Sequence, residues 1–132
     1  GGSCHLDANQ VRLGMENLSL PELDLLVIEN VGNLICPMSF DLGQHARVGL
    51  FSVPGGADKP AKHPRIVLEA DTLLLTKTDL LPHVPFDLER FRSDLRAMRD
   101  PAPLIELSAL SGEGFDAWLT WLRGFVDASV SV

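Results

Sequence analysis

The sequence predicts an α/β fold, with a mostly parallel sheet and helices on both faces. Three observations carry that reading. Apolar stretches of strand length alternate with stretches of helical periodicity along the chain. The run Leu25-Leu26-Val27-Ile28 is continuously apolar, the mark of a strand buried on both faces. Strand, crossover helix and strand then follow in succession, which builds a parallel ladder.

Residues 7–18 read as a helix, with Asp7 as N-cap and Val11, Met15 and Leu18 at i, i+4 and i+7. Residues 23–29 read as the first strand, ending in the carboxylate of Glu29. Residues 47–53 read as a second strand, stopped by the turn Pro54-Gly55-Gly56. Residues 64–70 read as a short helix with Pro64 in its first turn. Residues 72–76 form a third strand. The clearest helix spans 87–98, where Leu88, Phe91, Leu95 and Met98 lie along one side. Residues 103–107 form a fourth strand. Phe115, Trp118, Leu119, Leu122, Phe125 and Val126 then line one face of a C-terminal helix.

A chain of 132 residues, 45% apolar and 22% charged, allows one compact domain with a real core. Eighteen acidic residues against 11 basic ones leave a net charge of −7, which argues against nucleic-acid backbones and anionic membrane surfaces as partners. The apolar runs are too short to cross a bilayer. Two cysteines make no disulfide framework, and Gly1-Gly2-Ser3-Cys4-His5 has neither the basic nor the apolar segment of a secretory signal. A cytoplasmic setting, with reduced thiols, is therefore expected.

In a parallel sheet, ligands gather beyond the carboxyl ends of the strands. The third strand runs into Thr76-Lys77-Thr78-Asp79. A carboxylate there can accept two hydrogen bonds from the N1–H and exocyclic amine of guanine, while the lysine stem covers the base plane. Taken alone, the tetrapeptide could equally open a short helix. The fourth strand runs into Ser108-Ala109-Leu110-Ser111-Gly112, whose small residues would let a backbone N–H approach a carbonyl such as guanine O6. On its own that is a strand-to-helix turn. Together, on adjacent strands, the two segments read as the base-recognising half of a GTPase. The first strand ends Ile28-Glu29-Asn30-Val31-Gly32, where Glu29 could face phosphates through Mg²⁺ and Gly32 could bring a backbone N–H to a γ-phosphate. A polar turn explains the same spacing equally well.

Cys4, His5 and Cys36 supply two thiolates and an imidazole, a donor set suited to Zn²⁺ or Ni²⁺. Three ligands leave an open position for exchange, water or a second chain. A small buried cysteine and a Cys4–Cys36 disulfide are the competing readings. His45, His63 and His83 show no partner spacing and read as structural.

The segments Cys4-His5-Leu6-Asp7-Ala8, Ile28-Glu29-Asn30-Val31-Gly32-Asn33-Leu34-Ile35-Cys36-Pro37, Asp58-Lys59-Pro60, Thr76-Lys77-Thr78-Asp79-Leu80-Leu81-Pro82 and Ser108-Ala109-Leu110-Ser111-Gly112-Glu113-Gly114 closely resemble the HypB family. These are GTPases that assist nickel insertion during hydrogenase maturation. The resemblance implies a P-loop GTPase-like fold of the SIMIBI type and a homodimer controlled by GTP and GDP with Mg²⁺. It implies cytoplasmic work with a small HypA-type nickel metallochaperone and the hydrogenase large-subunit precursor. By motif, Cys4, His5 and Cys36 match a zinc or nickel site. Lys77 and Asp79 match the guanine-reading motif, with Thr76 where Asn is usual, and Ser108 and Ala109 match its supporting loop. Glu29, Asn30 and Gly32 match the γ-phosphate switch, and Asp7 falls near the Mg²⁺-facing switch. No G-x-x-x-x-G-K-S/T occurs in the 132 residues. The expectation is therefore a single partial GTPase domain over 1–132, truncated before the Walker A segment and inactive alone. A catalytically inactive metal-binding or dimerisation module is the alternative.

Overall fold

The computed structural model describes residues 8–29 and 45–130. Its internal contacts divide the chain into two compact units, 1–45 and 46–132.

In the first unit, α1 (Ala8–Met15) is followed by a single 3-10 turn, Leu20–Glu22, entered through Pro21. The helix is shorter than its periodicity predicts, because the chain turns where the Leu18 N–H donates to Met15 O at 3.0 Å. Residues 23–29 form no strand, contrary to expectation. Leu25, Leu26, Val27 and Ile28 are 40%, 36%, 75% and 36% exposed. The physical reason is the ladder: an apolar run becomes a strand only when a neighbour satisfies its backbone N–H and C=O groups. Among the described residues none pairs with it.

The second unit is built on three parallel strands, β1 (Val48–Ser52), β2 (Thr72–Thr76) and β3 (Leu104–Glu106), in the order β1-β2-β3. The register sets Gly49 beside Leu73 and Phe51 beside Leu75, with Leu75 in turn beside Glu106. Alternation puts Gly49, Phe51, Leu73 and Leu75 on one face. There α3 (Pro64–Glu69) and α4 (Leu88–Met98) pack, and a very short α2 (Lys59–Lys62) precedes them.

That face is the core. Phe51 meets Phe91 edge-on with ring centroids 5.7 Å apart, and Leu73, Leu75, Val67, Phe91 and Leu95 are fully buried. Burying each such side chain is worth about 1.5–3 kcal/mol. Gly49 lets α3 sit close to the sheet, since a Cβ there would stand 2.7 Å from Ile66 Cγ2. Asp87 caps α4 by accepting the Arg90 N–H at 3.1 Å, and Arg99 donates to Ala70 O at 2.6 Å beyond the end of α3. Arg92 of α4 grips Glu106 of β3 through two hydrogen bonds, 2.7 and 2.6 Å, which hold its guanidinium proton more tightly than usual.

On the opposite face, Leu74 looks toward α5 (Phe115–Val130), so helices flank the sheet on both sides. No helix among the described residues is long and apolar enough to cross a membrane.

Candidate functional site

The strands are parallel, so the segments leaving β2 and β3 emerge at one edge of the sheet. Lys77 follows β2 with φ 60° and ψ 38°, a left-handed conformation uncommon for a residue with a side chain. It swings the chain into the 3-10 turn Thr78–Leu80, closed by the Leu80 N–H on Lys77 O at 3.0 Å. The Thr78 N–H donates to Leu107 O at 3.3 Å and ties this turn to the end of β3.

Asp79 is thereby brought to Ser108. The Ser108 hydroxyl, fully buried, donates to Asp79 Oδ1 at 2.7 Å and accepts the Ser111 N–H at 3.1 Å. A hydrogen bond to a carboxylate is stronger than a neutral one, and it fixes the carboxylate's direction. The loop behind Ser108 is drawn tight by its own backbone. The Ser108 N–H donates to Glu113 O at 2.9 Å, and the Gly112 N–H donates to Ser108 O at 2.9 Å. Gly114 has φ +80°, and any Cβ there would land on the Glu106 carbonyl oxygen. Only glycine lets this loop fold back onto β3.

A cavity of about 610 Å³ opens at this edge, lined by Leu74, Thr76, Lys77, Asp79, Ala109 and Trp118 among others. Its size lies within the range of small-molecule sites, and its polar groups are few beside an apolar wall. Thr76 donates its hydroxyl to Phe51 O at 3.2 Å, linking the ends of β2 and β1.

Of the residues singled out in the sequence, the structure thus brings together Thr76, Lys77, Asp79, Ser108 and Ala109. Glu29 is exposed and is the last described residue before position 45. Cys4, His5, Asp7, Asn30, Gly32 and Cys36 lie outside the described residues. The sequence placed Trp118 on the apolar face of the C-terminal helix, with no part in the site. It lines the cavity, half-buried, and stacks on Trp121 with centroids 5.5 Å apart. Leu110 also lines the cavity, and it is 84% exposed. Periodicity signals a helix's apolar side but not that its first turn overhangs a strand end.

The family model described as "CobW/HypB/UreG, nucleotide-binding domain" matches residues 1–106. The chain belongs to this family. The hydrogenase maturation factor HypB of Escherichia coli strain K12 is 46% identical over 123 residues, covering 93% of this chain and 42% of that protein. The probable HypB of Methanocaldococcus jannaschii is 43% identical, with 93% of this chain and 56% of that protein covered. Among solved structures, HypB from Archaeoglobus fulgidus matches with a TM-score of 0.86 at 40% identity, over 96% of this chain and 61% of that one. HypB from Helicobacter pylori in complex with nickel matches with a TM-score of 0.89 at 30% identity, over 98% and 62%. The chain therefore spans about two-fifths of the length of the Escherichia coli protein and just over half of the Methanocaldococcus one. The resemblance to HypB and the α/β, P-loop GTPase-like fold class read from the sequence both stand.

Proposed function

We propose that this chain is the guanine-reading and metal-relaying part of a GTPase that delivers nickel during hydrogenase maturation. The observation that supports it most is the Asp79–Ser108 hydrogen bond at the mouth of the cavity, 2.7 Å long and formed between residues 29 apart. It holds a carboxylate at the carboxyl edge of a parallel sheet with acceptor capacity to spare. In this reading Asp79 accepts the N1–H and exocyclic amine of guanine. The Lys77 stem covers the ring, and the Ala109 N–H meets O6. An adenine ring, lacking that amine, would leave the carboxylate partly unpaired.

The rest of the reading comes from the sequence and the family. Glu29, Asn30 and Gly32 serve the γ-phosphate, and Asp7 serves the Mg²⁺ side of the site. Among the described residues no group of three His, Cys, Asp or Glu could hold a metal ion. Cys4, His5 and Cys36 carry nickel as cargo, or zinc. Cys36 follows Gly32 by four residues, so a γ-phosphate-dependent shift of that loop would move its sulfur relative to Cys4 and His5. The working unit is a homodimer in the cytoplasm that meets a HypA-type metallochaperone and the hydrogenase large-subunit precursor.

Two measurements on the full-length protein test this. Asp79→Asn should lower GDP affinity about 10- to 100-fold and raise that for xanthosine diphosphate, because an acceptor pair becomes acceptor plus donor. Unchanged GDP affinity would remove Asp79 from base recognition. Ni²⁺ affinity should differ between the GDP-bound protein and the protein with a non-hydrolysable GTP analogue, read by competition with a chromophoric chelator. Equal affinities would defeat the coupling. Stoichiometric metal without any saturable guanine nucleotide would favour a metal-binding or dimerisation module.

A further inference from the structure

We infer that Leu110 and Trp118 touch the bound base, forming an apolar wall for the ring face that the Lys77 stem leaves bare. The inference rests on the proposed reading of the cavity as a guanine site and adds to it the residues that hold the ring by its face. Asp79 then selects the base at its edge, and the wall supplies affinity common to purines.

A lone exposed leucine on a protein surface is ordinary. Leu110 is not alone. It is the most exposed large hydrophobic among the described residues, at 84%, and it lines the same cavity as Lys77, Asp79, Ala109 and the half-buried Trp118. Leu74 and Leu107 belong to the same wall, but at 5% and 3% exposure they have little surface left for a ligand. Leu110 has most of its surface left. Among the lining residues Lys77 is the one cation and Asp79 the one anion. A carboxylate set in an apolar wall suits an uncharged ring and not a phosphate.

Both residues are held in place before any ligand arrives. Leu110 sits in a turn closed by the Gly112 N–H on Ser108 O at 2.9 Å and the Ser111 N–H on Ser108 Oγ at 3.1 Å. Trp118 stacks on Trp121 with planes 8° apart, and Trp121 stacks on Phe125 at 5.6 Å with planes 3° apart. This row of rings braces the indole along α5 and leaves its remaining surface to the cavity. A wall fixed in advance loses little freedom on binding. Every purine presents a π-face, so a face contact is blind to the exocyclic amine that Asp79 reads.

Calorimetric titration of the full-length protein with GDP and with inosine diphosphate, which lacks the exocyclic amine, tests this. Leu110→Ala should weaken both by one common factor of about 3- to 10-fold. Its melting temperature should match that of wild type, because the side chain is exposed. Trp118→Ala should weaken both about tenfold or more, and Trp118→Phe, which keeps an aromatic face, should recover most of that loss. In methyl-labelled protein the Leu110 methyl resonances, identified by their loss in Leu110→Ala, should move upfield on adding GDP, because they lie over a ring face. Pyrophosphate should leave them in place.

GDP affinity within about twofold of wild type in Leu110→Ala would overturn the inference, as would Leu110 methyls that do not move upfield. A loss confined to GDP, with inosine diphosphate spared, would put the contact at the amine edge and overturn it too. In each of these cases a loss of GDP binding in Asp79→Asn would keep the guanine reading intact. Equal wild-type affinities for GDP and ADP would overturn that reading and the inference with it. Should Trp118→Ala not fold, Leu110→Ala and the methyl shifts decide.

Discussion

Two apolar runs of similar make-up meet opposite fates in this chain. Leu73, Leu74 and Leu75 are 0%, 5% and 0% exposed, held between β1 and β3 with helices on either side. Leu25, Leu26, Val27 and Ile28 are at least 36% exposed and belong to no ladder among the described residues. Hydrophobicity is equal in kind; the neighbours differ. A strand buried on both faces is a property of a sheet, and an apolar run is only a candidate for one.

The sharpest way to break this contrast is to truncate one residue from each run. Leu75→Ala should cost about 2–5 kcal/mol in urea unfolding, from lost burial plus the cavity left behind. Val27→Ala, at a side chain 75% exposed, should change stability by no more than about 0.5 kcal/mol. Equal costs would mean that the 23–29 run is packed in solution, and the contrast would fail.

The next largest effect is expected behind the candidate site. Gly114→Ala combines a positive φ with a Cβ placed on the Glu106 carbonyl, and should cost about 2–4 kcal/mol. Guanine nucleotide affinity should fall with it, because Ser108 is positioned by the same loop. A fully stable Gly114→Ala protein would show that the loop is not held against β3.

The smallest effect is a pH response at α2. The Lys62 ammonium donates to Asp58 at 2.8 Å, and this hydrogen bond holds the Asp58 carboxyl below its ordinary value of 3.8. The folded carboxyl binds its proton less readily than the unfolded one. Its contribution is therefore complete above 3.8 and fades as pH falls through the lower folded value. The Asp58 side chain is 44% exposed and its ion pair is open to solvent, so only a slight loosening of α2 is expected in acid. Carboxyl chemical shifts followed by NMR should give a midpoint below 3.8 that moves up toward it in Lys62→Met.

Much of the second unit was legible in the sequence. The residues 72–76 predicted as a strand are β2 itself, and the 87–98 helix begins at the Asp87 cap with Phe91 and Leu95 inward. These elements obey local rules of apolar spacing and capping. The strand-end residues were legible too, because a parallel sheet directs attention to one edge. What could not be read was anything set by a partner distant in sequence. The Thr76 proton goes to Phe51, 25 residues away, and the left-handed turn at Lys77 serves a contact with Ser108. The 59–62 helix was also missed, for at four residues it has no periodicity to show.

The stacked rings of α5 have a practical corollary. The chain holds two tryptophans and no tyrosine, and both indoles, Trp118 and Trp121, sit on that one helix. Near-ultraviolet emission from this chain therefore samples a single place in the molecule, beside the cavity. A fluorescence melt would report on α5 and its surroundings rather than on the molecule as a whole.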